Sequence, residues 1–404
     1  MTLIGGIDLT KQEKARLLVL SSFYLPGFLG GGPIRSIANM VDALGNEFDF
    51  MVLTTDRDLN SPSRYEGVSV DQWGRVGSAY VNYLSKDRWS ILKLLRAARA
   101  SNASLMYLNS FFGFLFSIVP LLAMRVGFLK KIPVVLAPRG EFSGGALAQK
   151  SAKKKFFIAV SRMLALHRDV FWHASTDEEA EDIRRSMGRE VSSIVIARNL
   201  SQRVLPRDIV AQSQKFVSNA SVKICFLSRI VEKKNLAFAL NVLSNVKVPV
   251  EFGVYGPIES VDYWKNCELL ISQLPKNIVV KYLGAVPNHL VAQELSSYQL
   301  FFLPTLGENF GHVFVEALAA GLPILVSDQT PWRDLKTHGV GWDIPLDRPE
   351  DFCAAIEEYF LLDSEEKRCY ADRCFNFALK KTQLDELLGA NRMLFENALK
   401  ISTE

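Results

Sequence analysis

The stretch Leu300–Asp328 reads LFFLPTLGENFGHVFVEALAAGLPILVSD. An apolar run, LFFLPT, leads through Gly307 and Gly311 into a helical pattern, VFVEALAAG. Gly321-Leu322-Pro323 stops that helix, and a second apolar run, PILVSD, follows. Neither apolar run alternates between polar and apolar residues. Strands buried on both faces look like this, in a parallel sheet covered by helices. A strand–helix–strand unit of this kind assigns the chain to the α/β class.

The same pattern recurs on both sides. Upstream it is LLVLSS (Leu17–Ser22), FMVLTT (Phe50–Thr55), LMYLN (Leu105–Asn109), VVLAP (Val134–Pro138), WHAST (Trp172–Thr176) and IVIARN (Ile194–Asn199). Nearer the opening stretch it is KICFLSR (Lys223–Arg229), VEFGVYG (Val250–Gly256) and IVVKYLG (Ile278–Gly284). The polar segment Ser201–Ser221 lies between two complete sets of strands and reads as a linker. At 404 residues the chain exceeds what one core usually supports. The expected organisation is two Rossmann-like, doubly wound domains, residues 1–200 and 201–380, facing a cleft. A helical segment at 381–404, with Leu384–Ser402 apolar-periodic, could pack on either.

Apolar residues make up 49% of the chain and charged ones 22%, with a net charge of +4 and a pI near 8.7. That balance is ordinary for a globular protein and too weakly basic for a dedicated nucleic-acid binder. The five cysteines form no CxxC pair, which argues against a disulfide framework or a thiolate zinc site. The first residues lack the basic and apolar regions of a secretory signal, so a cytoplasmic location is expected. Phe111–Met124 is apolar but contains Pro120 and stops at Arg125, short of the roughly 20 residues a spanning helix needs. It reads as a buried or interfacial helix.

Doubly wound sheets bind ligands at the carboxyl ends of their strands. After the first strand, Gly30, Gly31 and Gly32 precede a helix, where backbone can approach an anion. The dinucleotide fingerprint GxGxxG fails at Arg35, and a plain turn explains these glycines equally well. After the first strand of the second half, Arg229 and Lys234 flank the turn before Asn235, a pairing that suits a diphosphate or a solvated charged turn. In the opening stretch the amides of Asn309–Val313 are free to hold a phosphate. Glu308 precedes that helix and Glu316 lies inside it. Carboxylates repel phosphate but accept from sugar hydroxyls, and Glu316 sits in a helix apolar nearly all round, where an unpartnered charge is costly. The alternative is a helix-terminus charge and a helix-face residue.

Glu308-x7-Glu316 within GENFGHVFVEALAAGLPILVSD, with Arg229 and Lys234 upstream, resembles the retaining glycosyltransferases of family 4, which have the GT-B fold. The glycine loop, APRGEFSGGAL (Ala137–Leu147), FWHASTDEEAEDI (Phe171–Ile183) and SDQTPWRDL (Ser327–Leu335) extend the likeness. It points towards bacterial exopolysaccharide, capsule or O-antigen enzymes. The resemblance implies transfer of a sugar from a UDP- or GDP-sugar to a glycan or lipid-linked acceptor, with retained configuration, no metal and no cofactor. It implies that Glu316 binds the ribose and Glu308 the transferred sugar. Asn309, Phe310, Gly311 and His312 would hold sugar and phosphate, and Arg229 and Lys234 would neutralise the leaving diphosphate. The base would lie near YLGAV (Tyr282–Val286), with Gly284 and Ala285 as donor-binding residues, and Gly31 and Gly32 would approach the phosphates. Where many relatives carry a histidine, this chain has Arg139, which stays protonated and cannot act as a base. Glu141 beside it could serve the acceptor side. A sugar-nucleotide epimerase of the same fold, a catalytically impaired relative and a nicotinamide dehydrogenase are the competing readings. The last is disfavoured by the failed glycine fingerprint.

Residues 147–169 combine Lys150, Lys153, Lys154 and Lys155 with Phe156, Phe157, Val160, Met163, Leu164 and His167 at helical spacing. The segment reads either as an interfacial helix on an anionic inner leaflet or as a core-facing helix with a solvated basic end.

Overall fold

The computed structural model describes residues 14–88, 90–148, 151–188, 191, 193–201, 220–382 and 385–400. The segment read as a linker lies almost wholly outside them. Eight strands form the first sheet: β1 Arg16–Leu20, β2 Asp49–Thr55, β3 Trp73–Val76, β4 Ala79–Leu84, β5 Leu105–Asn109, β6 Val134–Ala137, β7 Val170–Ala174 and β8 Ser193–Ile196. Six form the second: β9 Val222–Leu227, β10 Val250–Tyr255, β11 Ile278–Gly284, β12 Leu300–Leu303, β13 Ile324–Ser327 and β14 Gly341–Ile344. Their orders are β3-β4-β2-β1-β5-β6-β7-β8 and β11-β10-β9-β12-β13-β14, and only β3 is antiparallel to its neighbour. Both are doubly wound. The order reverses beside β1 in the first sheet and beside β9 in the second, which is where such sheets place ligands.

The apolar runs are buried on both faces: every residue of β5, β6, β12 and β13 is buried. Leu17–Leu20 of β1 sits in register with Phe50–Leu53 on one side and Leu105–Leu108 on the other. The sequence reading passes over β3, β4 and β14. Trp73-Gly-Arg-Val is a half-exposed edge, Asn82 interrupts β4, and β14 opens on glycine and carries Asp343, so none presents a clean apolar run.

Helix Ser364–Lys381 belongs to the second core, with Cys374 and Ala378 buried there. The last helix, Asp385–Lys400, crosses back to the first. Leu394, Phe395 and Ala398 enter that core, and Phe395 meets Phe48 and Tyr107 edge-on at 5.7 and 5.4 Å. Asn391 donates to the Arg198 carbonyl at 2.9 Å, and Arg392 Nη2 to Glu47 at 2.6 Å. Of the two docking options left open by the sequence, this helix takes the first domain's.

The apolar stretch Phe111–Met124 folds as a π-turn, Phe114–Ile118, running into the helix Val119–Arg125. No helix among the described residues is long and apolar enough to cross a membrane. Helix Ser151–Met163 does not present one apolar face. Ile158 and Ser161 turn inward, and His167 just beyond the helix is also buried, while Phe156, Met163 and Leu164 point out.

Candidate functional site

A cleft of about 250 Å³ lies between the carboxyl ends of the two sheets. Its walls include Gly31, Gly32 and Arg139 from the first domain, and Arg229, Lys234, Ala285, Asn309–His312 and both acids from the second. Gly284 alone of the expected donor residues is not on the wall. Its carbonyl accepts from the Gly256 amide at 2.8 Å, while Ala285 and Val286 face the cleft.

The turn at Glu308–Gly311 is fixed by backbone geometry. Gly311 has φ +79°, and a Cβ there would sit 2.3 Å from the Phe314 ring, so only glycine fits. The helix His312–Ala319 starts on it without a side-chain cap. The N–H groups of Phe310, Gly311, His312 and Val313 take no protein partner among the described residues, whereas Asn309 N–H is held by Glu308 Oε1 at 3.1 Å. Four of the five expected amides therefore remain open to an anion.

The two acids have different fates. Glu308 is ion-paired with Lys234. Burial pushes its carboxyl up, but Lys234, Lys233 and the Asn309 amide outweigh this and hold it below the ordinary value. Glu316 gives Oε1 to Arg35, from the glycine loop of the first domain. Its Oε2 is buried and has no hydrogen-bond partner among the described residues. Arg35 also donates to Asn288 Oδ1 through Nε at 3.1 Å and Nη2 at 2.7 Å, and burial lowers its pKa to about 10. Arg229 donates to Glu259 at 2.7 Å, and its Nε lies 3.6 Å from where a Gly31 Cβ would stand.

Arg139 has φ +57° and closes the first-domain wall. It donates to Asn109 Oδ1 through Nε at 3.2 Å and Nη2 at 2.9 Å, to Tyr107 Oη at 2.7 Å, and through Nη1 to Asn199. Tyr107 Oη meets His173 Nδ1 at 2.7 Å, and His173 Nε2 meets the Ala197 carbonyl at 2.7 Å. Tyr107 thus donates to Nδ1 and His173 is neutral with its proton on Nε2. Burial first, then Arg139, lowers its pKa to about 4. His173 is a structural group supporting Arg139. His312 is equally buried, within 2.9 Å of Ser36 Oγ across the cleft, and lowered to about 3 by burial, Arg35 and Arg139.

The Glu141 carboxyl is buried against the loop at Ser110–Phe112. Its oxygens accept from Ser110 Oγ at 2.7 Å, Phe111 N at 2.6 Å and Phe112 N at 3.2 Å, so it is spent on ordering that loop. The acid that does bear on the cleft is Glu179, which the sequence reading overlooks. It accepts from Gly140 N at 2.6 Å and Ser175 Oγ at 2.7 Å, and across the domain gap from Asn309 Nδ2 at 3.0 Å. The sequence reading counts no Asp-x-Asp triplet, which is wrong, since Asp56-Arg57-Asp58 is one. Asp56 is paired with Arg57 and Arg64, and Asp58 accepts from the amides of Phe28 and Leu29.

Residues 210–372 match the family model described as "Glycosyl transferases group 1". Over 81 residues the chain is 36% identical to a phosphatidyl-myo-inositol mannosyltransferase of Mycobacterium tuberculosis, covering 20% of this chain and 21% of that relative. The match therefore spans about a fifth of that relative's length. Over 187 residues it is 27% identical to the O-antigen biosynthesis glycosyltransferase WbnH of Escherichia coli, covering 46% and 48% of the two chains. Among solved structures, sucrose-phosphate synthase (tll1590) from Thermosynechococcus elongatus superposes with a TM-score of 0.71 at 14% identity, over 97% of this chain and 100% of that one. Anabaena Alr3699/HepE in complex with UDP-glucose gives 0.67 at 17% identity, over 96% and 100%. Residues 210–372 are accordingly a glycosyl transferases group 1 domain, in a chain whose two facing sheets have the GT-B fold.

Proposed function

We propose that the protein transfers a hexosyl group from a UDP- or GDP-sugar to a glycan or lipid-linked acceptor, with retention and without a metal, in the building of a bacterial surface polysaccharide. The observation that carries this reading is Glu316 Oε2, a buried carboxylate oxygen on the cleft wall with no hydrogen-bond partner among the described residues. Buried acceptors are nearly always satisfied, so an orphan in a cleft calls for a ligand donor. A ribose hydroxyl beside the open amides at the start of the same helix supplies it. The neighbour solved with UDP-glucose and the relatives named for O-antigen and lipid mannosylation agree with a nucleotide-sugar donor.

In this scheme Arg229 exchanges Glu259 for the diphosphate, and Lys234 bridges Glu308 and the leaving group. Preorganised cations and amides stabilise charge as it develops on the departing phosphate. Arg139, permanently charged, orients the transferred sugar by hydrogen bonding. The acceptor's proton leaves to the donor phosphate on the same face. The interdomain bridges at Asn309–Glu179, Arg35–Glu316 and Ser36–His312 keep water out during transfer.

The protein is proposed to work in the cytoplasm, touching the anionic inner leaflet through residues 147–169. From 114 to 168 the chain carries a single acid, Glu141, and its oxygens are taken. Phe156 and Met163 are 73% and 76% exposed, and Lys153 and Lys155 stand exposed on the same helix just before Phe156. Cations around exposed apolar side chains suit a charged lipid surface.

A thermal-shift panel of nucleotide-sugars, followed by NMR of the product's anomeric centre, tests the central reaction. Stabilisation by one donor and retained configuration are expected. Tight nicotinamide binding without nucleotide-sugar binding, or interconversion of the free donor without an acceptor, would replace the reading.

A further inference from the structure

Arg35 stands on the first turn of the helix Gly32–Leu44, whose Ile37, Met40, Val41 and Leu44 are buried in the first domain's core. Its side chain is spent on the other domain. Nη1 pairs with Glu316 Oε1, while Nε and Nη2 donate to Asn288 Oδ1 at 3.1 and 2.7 Å. Asn288 opens the short turn Asn288–Leu290 that follows β11. Ser36, the next residue, meets His312 Nε2 at 2.9 Å, so consecutive residues of one helix span the gap.

The pattern of these bonds is informative. A guanidinium facing a carboxylate commonly takes both oxygens with its planar fork. Here two arms of the fork go to the Asn288 amide, and Glu316 is engaged through Oε1 alone. Arginine has only donors, so Asn288 must turn its oxygen towards it. Glu316 Oε2 is left buried and without a hydrogen-bond partner among the described residues. No other cation pairs with Glu316 among those residues. A carboxylate held out of water is costly without a cation, and a charged acceptor makes a hydrogen bond roughly twice as strong as a neutral one. A competitor for the ligand's place would cover both oxygens. A residue that prepares that place covers one.

We propose that Arg35 is a positioning residue for nucleotide recognition: from the opposite domain it neutralises Glu316 and leaves the second carboxylate oxygen for the ribose. The inference rests on the nucleotide-sugar reading and deepens it. Ribose selectivity becomes a property of both domains, because the acid comes from the second and the cation that sets it from the first. Arg35 touches no reacting atom; it acts through Glu316, and through Asn288 it holds the turn after β11 in the same arrangement.

The test is calorimetric titration of the full chain with UDP, GDP and their 2′- and 3′-deoxy counterparts. Wild type is compared with Arg35→Met, Arg35→Lys, Glu316→Ala and the Arg35→Met/Glu316→Ala double variant. Circular dichroism confirms folding, and Arg35→Gln replaces Arg35→Met under the same criteria if the latter does not fold. Arg35→Met keeps the stem and removes the charge. It should weaken the bound ribonucleotide by roughly tenfold, the difference between a charged and a neutral acceptor, and leave the matching deoxy form within about threefold. Arg35→Lys keeps the charge and should recover most of the discrimination. With Glu316 already replaced by alanine, Arg35→Met should remove no further discrimination. Three results overturn the inference. Arg35→Met may keep the wild-type ratio of ribo to deoxy affinity; it may weaken both forms equally, as a merely structural role requires; or it may bind the nucleotide more tightly, which would make Arg35 a competitor. Equal binding of the two forms by wild type would strike the ribose reading itself, and this inference with it.

Discussion

Lys234 and Glu308 allow stability and catalysis to be separated. Their side chains are 11% and 18% exposed. Removing one partner of a buried pair costs about 3–5 kcal/mol. The partial exposure, with Lys233 and the Asn309 amide still facing Glu308, puts Lys234→Met near the low end, about 3 kcal/mol. At roughly 2–4 °C per kcal/mol for a domain of this size, the midpoint should fall by about 6–12 °C. Glu308→Gln should cost a comparable amount, because it leaves two adjacent lysines without their acid. The double variant buries no unpaired charge from this pair, so it should recover about 1–2 kcal/mol relative to either single change. Transfer should behave differently. Losing a cation at the leaving group costs on the order of 10²–10³ in kcat, and the double variant cannot restore it. Calorimetric unfolding and a discontinuous transfer assay read the two quantities. A double variant that regains transfer along with stability would refute the role given to Lys234, as would a Lys234→Met enzyme of unchanged rate.

Other outcomes follow from the same geometry. His167, His173 and His312 are held neutral by burial, with pKa values of about 4, 4 and 3. The unfolded chain protonates them first as pH falls below the ordinary 6.5, so stability should drop between pH 6.5 and 4.5 by up to about 1.4 kcal/mol per pH unit for each. Unfolding midpoints across that range check this, with a shallower slope expected for His167→Phe. Gly311→Ala must place a methyl against Phe314 at positive φ and should destabilise by at least about 1–3 kcal/mol, while weakening nucleotide binding in a titration. Phe156→Asp combined with Lys153→Glu and Lys155→Glu should abolish co-sedimentation with phosphatidylglycerol vesicles and leave transfer to a water-soluble acceptor unchanged.

What could be read from the sequence divides along physical lines. Two-sided burial makes β5, β12 and β13 plain apolar runs, and strand ends in a doubly wound sheet locate Arg139, Arg229 and Glu308 without coordinates. The edge strands β3 and β14 carry no such signal, and Asn82 breaks the apolar run of β4, so these three stay hidden. Within the site, local chemistry is legible: the glycine turn at Gly311, the amides after it and the two carboxylates. Long-range pairing is not. Arg35 in the sequence merely spoils a glycine fingerprint, yet its side chain meets Asn288 across 253 positions and the Glu316 carboxylate besides. Glu179 looks like one acid among several in DEEAED, and only the folded chain shows it reaching both Gly140 and Asn309. Lys233 and Lys234 are indistinguishable as neighbours in the chain. The turn at Glu232–Lys234 brings Lys234 into an ion pair with Glu308, while Lys233 faces the same acid without an ion pair among the described residues.

The most direct measurement concerns the orphan oxygen of Glu316. Affinities of UDP and GDP are compared with those of their 2′- and 3′-deoxy counterparts, for wild type and Glu316→Ala. A hydrogen bond to a charged group is worth about 1.5–3 kcal/mol, so wild type should favour one ribonucleotide by roughly 10–150-fold over the deoxy form that lacks the recognised hydroxyl. Glu316→Ala should bind the ribonucleotide and that deoxy form alike. If wild type does not distinguish them, or if the alanine variant still does, Glu316 does not hold the ribose and the donor site has been drawn in the wrong place.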